Sequence, residues 1–304
     1  MKKLWTLLLT LVFVVGLISL AMITTAYAER GIAMTVNGTE YTDHGTGWSA
    51  AVKLAKGGTE VTVKLFADWI ADAEKGFVCP DGGTKDGALY VGESKGKFTL
   101  DLNGCTIDRN ASQEVYVSSA IYVEDCNFTV DDTSEEKDGK ITGGYINAGG
   151  GIYAKNAVLT FNGGNISGNK AKLGSGVFLL ESKFTMNGGS ITDNYAINNG
   201  GGIYVNCEDF TMNGGVIARN YAALGGGAVY VKGDGTTYKF NMYGGVIEEN
   251  YASVDGGAIY LNNGYLYVDG GEITGNTANE EGGAIYANSG YINVDGGEIT
   301  GNTA

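Results

Sequence analysis

Arg109 and the carboxylate-rich turn Asp131-Asp132-Thr133-Ser134-Glu135-Glu136-Lys137-Asp138 are the residues best placed by type and spacing to do acid–base chemistry. Carboxylates gathered on one turn can hold a hard cation or exchange a proton, and a nearby cation can steady developing negative charge. The same residues also fit a solvated acidic loop with no chemistry. Other catalytic sets are poorly supplied. His44 is the only histidine, which leaves a Ser-His-Asp site or a zinc site without its usual ligands. Cys79, Cys105, Cys126 and Cys207 are scattered and form no CxxC pair, so their spacing does not fix a disulfide pattern.

A second set of candidates appears as columns. An aromatic residue recurs at Tyr90, Tyr122, Tyr153, Phe178, Tyr204, Tyr230, Tyr260 and Tyr286, each one place after an aliphatic residue. In a strand, alternate side chains point to opposite faces, so an inward aliphatic implies an outward ring. Tyr122 through Tyr286 are therefore candidate binding residues for sugar rings. The alternative is that the rings stabilise one another, at about 0.5–1.5 kcal/mol per pair. A further column runs through Asn103, Asp131, Asn162, Asn187, Asn213, Tyr243, Asp269 and Asp295. Like charges at Asp269 and Asp295 would repel on adjacent strands, and calcium at that pair would relieve them, as would solvent and salt. A third column, Asn169, Asn194, Asn220, Asn250, Asn276 and Asn302, reads as a structural amide ladder.

The repeat that generates these columns has three anchors. The first falls at Leu89, Ile121, Ile152, Val177, Ile203, Val229, Ile259 and Ile285, with spacings from 25 to 32 residues. The second falls at Leu100, Phe128, Leu159, Phe184, Phe210, Phe240, Leu266 and Ile292, and the third at Ile107, Ile141, Ile166, Ile191, Ile217, Ile247, Ile273 and Ile299. Each anchor lies in a short alternating run ended by glycine, which is strand punctuation. Three short strands per repeat predict an all-β fold: a right-handed, single-stranded parallel β-helix of about eight coils. At about 4.8 Å per coil the rod is roughly 38 Å long.

The remaining organisation follows from composition and the ends. Residues 1–28 read as a signal peptide: Lys2 and Lys3, an apolar run from Leu4 to Ile23, and Ala26-Tyr27-Ala28 before Glu29. An uncleaved membrane anchor is the rival reading of that run. Residues 31–78 read as an N-terminal α/β cap, with a short amphipathic helix over Trp48–Lys56 and a strand over Val61–Phe66. Residues 79–304 are the β-helix, expected to be truncated because the chain stops directly after a repeat unit. The net charge of −14 becomes −16 once Lys2 and Lys3 are removed, and no Lys or Arg follows Lys239. Such a surface is a poor partner for nucleic acid. Membrane contact would come only through the signal segment or a missing C-terminal anchor.

The units Ile247-Glu248-Glu249-Asn250 and Gly256-Gly257-Ala258-Ile259-Tyr260, repeated as Ile273-Thr274-Gly275-Asn276 and Gly282-Gly283-Ala284-Ile285-Tyr286, resemble the Gly-Gly-Ala-Ile and Phe-x-x-Asn repeats of chlamydial polymorphic outer membrane proteins. Leu100-Asp101-Leu102-Asn103-Gly104-Cys105-Thr106-Ile107 resembles the first coil of β-helix surface proteins of the pectate-lyase-like superfamily. Two departures stand out: Ile replaces Phe before x-x-Asn, and no C-terminal barrel follows. The resemblance covers residues 45–304 and implies the fold. It leaves three roles open: an adhesin-type module binding host or cell-surface glycans or proteins, a calcium-dependent polysaccharide lyase using Asp131, Asp132 and Arg109, or a passive spacer. The expectation is a secreted or cell-surface binding module that needs no cofactor, with calcium as the one candidate ion.

Overall fold

The computed structural model describes residues 26–27, 30–111, 118–207, 209–235 and 237–304. Almost all of the signal segment read from the sequence lies outside the described residues. Among those described, no helix is long and apolar enough to cross a membrane.

The chain winds into a parallel β-solenoid of about eight turns, in which every coil pairs with its counterparts above and below. The first anchors stack in register from Leu89↔Ile121 through Ile152, Val177, Ile203, Val229 and Ile259 to Ile285. The third anchors do the same from Ile107↔Ile141 to Ile273↔Ile299. The second anchors pair as expected from Phe128 to Ile292. The first coil differs: Phe98, not Leu100, sits beneath Phe128, and Leu100 sits beneath Val130. A two-residue slip keeps the same face inward, so both Phe98 and Leu100 are fully buried. It also moves the foot of the acidic column from Asn103 to Asp101, which pairs with Asp131.

The structure adds a fourth short strand to most coils. After the asparagine turn the chain pairs again, from Tyr145–Ala148 through Lys170–Leu173, Tyr195–Asn199, Tyr221–Ala222 and Tyr251–Ala252 to Thr277–Ala278. Its inward residue from Lys170–Leu173 onwards is alanine, which lets this sheet approach the core closely: Ala171, Ala196, Ala222 and Ala252 are fully buried.

Phenylalanines fill the interior. The rings of Phe184, Phe210 and Phe240 stack with centroids 5.1 and 4.4 Å apart. Burying each such side chain contributes about 1.5–3 kcal/mol. The asparagine ladder closes the turn beside them, each side chain donating to the next coil's Oδ1 and to a carbonyl of the coil before. Glycine is required where coils touch: a Cβ on Gly257 would lie 2.2 Å from the carbonyl oxygen of Gly283.

At the N-terminal end the strand Val61–Leu65 lies in parallel beneath Phe98–Asp101. On its other side it pairs antiparallel with Met34–Val36, which in turn pairs with Thr39–Tyr41. The helix read over Trp48–Lys56 begins earlier, at His44, because Asp43 caps it by accepting from Thr46 N at 2.8 Å. It buries Trp48, Ala51, Val52 and Ala55 against the first coils.

Candidate functional site

The acid–base candidates are not gathered into one site. Arg109 is fully buried; its Nε donates to Ser118 Oγ at 2.5 Å and its Nη1 to the carbonyl of Asp72 at 3.1 Å. Asp132 is also fully buried. Its carboxylate accepts from the backbone of Gly104, Ser134 and Gly139, so it pins the turn that carries it. Asp131 is half-buried and accepts from the amide of Asp132. Arg109 follows the third strand of its coil whereas Asp131 ends the second strand of its own and Asp132 follows it, and no ion pair joins them among the described residues.

Asp269 and Asp295 are exposed at neighbouring turns, and Asp295 accepts from Asn293 Nδ2 at 2.7 Å. Among the described residues no three His, Cys, Asp or Glu side chains converge to hold a metal. Cys79, Cys105 and Cys126 are free thiols, and burial pushes them up to about 12.

The aromatic column lies on the outer side of its strands, yet its rings are mostly turned onto one another. Tyr122 and Tyr153 stack at 4.9 Å, Phe178 and Tyr204 at 5.2 Å, Tyr204 and Tyr230 at 5.0 Å. Phe178, Tyr204 and Tyr230 are buried, packed against Ala148 and Leu173 at the ends of the fourth strands, where the chain turns over them. The turns come so close that a Cβ on Gly174 would lie 2.8 Å from Tyr204 Cβ. Tyr122, Tyr153, Tyr260 and Tyr286 are half-buried. A sugar stacks on the face of a ring, and here faces are spent on neighbouring rings. At the column's foot, Glu124 accepts from both Lys85 and Lys155 at 2.7 Å, and the Lys85 ammonium stands 4.3 Å from the centre of the Tyr122 ring.

An open groove of about 450 Å³ runs along a different edge, where the first strand of each coil bends into the second. Asn156 and Glu181 make that bend with φ of 48° and 50°, left-handed values that asparagine tolerates better than most residues and glutamate does not. Asn156 Nδ2 donates to Asp125 Oδ1 of the coil below. Val158 is 45% exposed in the groove, beside Lys183 and Tyr238. Tyr238 arrives on the one irregular insertion of the later coils. That insertion is held by Asp234, which accepts from Thr237 N at 2.7 Å, and by Gly235 N donating to the Asn263 carbonyl at 2.9 Å. A smaller hollow of about 290 Å³ continues from it, sharing Asn156 and Val158 and adding Ser94 and Asn127. The sequence signals this groove only through the insertion between Lys232 and Lys239, since its other walls come from turns of separate coils.

A parallel β-solenoid with an internal asparagine ladder and Gly-Gly-Ala-Ile repeats defines a class: β-helix repeat proteins built from stacked coils. Within that class, residues 271–288 match the Chlamydia polymorphic membrane protein (Chlamydia_PMP) repeat, so that stretch is similar to the repeats of that family. The match spans the third strand Glu272–Thr274, the ladder residue Asn276 and the Gly-Gly-Ala-Ile-Tyr run of the next coil. No curated protein sequence and no solved structure matches the chain.

Proposed function

We propose that this chain is an exported cell-surface module that binds glycans through the groove between Asn156, Glu181 and Tyr238. The observation that carries the reading is the composition of that groove. An exposed aliphatic side chain, Val158, and a tyrosine, Tyr238, lie beside the polar groups of Asn156, Glu181 and Lys183. A sugar ring is amphipathic: its C–H face rests on apolar carbon while its hydroxyls take and give hydrogen bonds. The volume of about 450 Å³ falls in the range of roughly 300–1,000 Å³ usual for small-ligand sites. Export is supported by the leader-like residues at the start of the chain, and surface display by the likeness of the repeats to those of a membrane protein family. The rigid solenoid presents the groove without needing to close around its ligand.

Binding of the purified protein to an array of neutral and acidic oligosaccharides tests the reading. Val158→Asp and Tyr238→Ala should each weaken binding at least tenfold, while Tyr204→Phe, beneath the turns, should leave it unchanged. Binding that survives both groove variants would place the glycan elsewhere, and an absence of binding to any oligosaccharide would leave the chain a protein-binding module or a spacer.

A further inference from the structure

The outer face of the six-stranded sheet is unlike the rest of the rod. Here the tyrosines that follow the asparagine ladder stack in a second column: Tyr195 on Tyr221 at 4.5 Å and Tyr221 on Tyr251 at 5.6 Å. Tyr195 is 44% exposed, and Leu224, on the same coil as Tyr221, is 46% exposed. Exposed large apolar side chains that adjoin along a rigid sheet, rather than lying scattered, mark an interaction surface.

The charges around this strip are ordered along the rod. One coil below Tyr195 the position is Lys170, with Lys172 beside it; one coil above Tyr251 it is Thr277, followed by Glu280 and Glu281. The basic end and the acidic end thus lie the same two coils, about 10 Å, from Tyr221 in opposite directions. A surface with this pattern is complementary to itself when turned end over end. A two-fold axis through the Tyr221 coil, parallel to its strand, sets Tyr221 against Tyr221 and Tyr195 against Tyr251. It also brings Lys170 and Lys172 of each copy to Glu280 and Glu281 of the other. Isologous contacts of this kind, each patch meeting its own copy, are the commonest way that soluble chains pair.

We infer that this face is where two copies of the chain dock, antiparallel about the Tyr221 coil. The inference stands on different residues from the glycan groove. The strip is narrow, so the contact buries less than about 1,200 Å² and the pairing is transient, favoured where copies are crowded on one surface.

Sedimentation equilibrium of the purified protein at low salt, over a range of concentrations, tests it. The average mass should climb towards that of two chains as concentration rises, and Leu224→Asp should weaken the association at least tenfold. Charge reversal gives the discriminating arm. Lys170→Glu with Lys172→Glu, and separately Glu280→Lys with Glu281→Lys, should each abolish self-association, whereas mixing the two variants should restore pairing between them. Unchanged circular dichroism shows that each variant is folded. A monomer at every concentration overturns the inference, as does a dimer indifferent to both reversals.

Discussion

Asn220 Nδ2 donates to Asn250 Oδ1 of the next coil at 3.0 Å, while Asn220 Oδ1 receives both the backbone N–H and the side chain of Asn194 at 3.1 and 3.0 Å. Each amide is therefore a link between three coils, and each is buried where water cannot substitute. Asn220→Ala would strand the Asn194 donors and the Ile191 carbonyl together. Leaving buried polar groups unpaired costs about 1–3 kcal/mol each, so a loss of about 3 kcal/mol is expected in urea unfolding. Asn187 also donates to an asparagine of the coil below, Asn162 at 2.9 Å, but on an exposed turn outside the ladder. Asn187→Ala should cost no more than about 0.5 kcal/mol. Equal losses at the two positions would show that the ladder's strength does not come from burial.

The clamp at the foot of the aromatic column has a pH signature. Hydrogen bonds from Lys155 and then Lys85 hold the Glu124 carboxyl down to about 2, below the 4.5 of an unperturbed glutamate. A depressed carboxyl pKa stabilises the fold above the unfolded value and ceases to do so as pH falls through the folded one. The clamp should therefore contribute fully above pH 4.5 and be lost between 4.5 and about 2. Glu124→Gln should lower stability by about 1 kcal/mol at neutral pH. The melting temperatures of variant and parent should converge as the pH approaches 2. A gap that stays constant with pH would mean that Glu124 contributes by packing and not by charge.

The coils were legible in the sequence because a solenoid repeats its inward residues at one position, and Ile, Val and Phe there are hard to mistake. The first coil's slip arose because Phe98 and Leu100 share a face, so either satisfies the pattern. The fourth strand was hidden by its length, only Tyr221–Ala222 in one coil, and by its inward residue, a small alanine in place of a large aliphatic. Alternation correctly put the Tyr204 column on the outer side of its strand. It is silent about turns, and Leu173 at the end of its strand, with the turn at Gly174, folds over those rings. Apart from the insertion that carries Tyr238, the groove at Asn156 left no signal in the sequence for a related reason: its walls come from separate coils, and only their stacking brings Glu181, Lys183 and Tyr238 to one edge.

Tyr204 gives the sharpest test of whether the covered column supports the fold. Its ring lies between those of Phe178 and Tyr230, and burial, with a smaller effect of Tyr230, raises its phenol to about 12. Tyr204→Phe keeps the stack and should change stability by less than about 1 kcal/mol, whereas Tyr204→Ala opens a cavity and should cost about 3 kcal/mol. The raised phenol also sets a direction in alkali. A group whose pKa is higher in the folded state stabilises the fold below its unfolded value, about 10 for tyrosine, and that stabilisation fades as pH rises through the folded value. The parent should therefore lose stability between pH 10 and about 12 as Tyr204 is forced to ionise. Tyr204→Phe has no proton to lose and should show a shallower decline, though not a flat one, because burial also raises Tyr153, Tyr230 and Tyr260 in the same column. Thermal midpoints followed alongside tyrosinate absorbance separate the cases. If parent and Tyr204→Phe fall in parallel, Tyr204 ionises in the folded state without resistance, and the turns over the column do not exclude water from it.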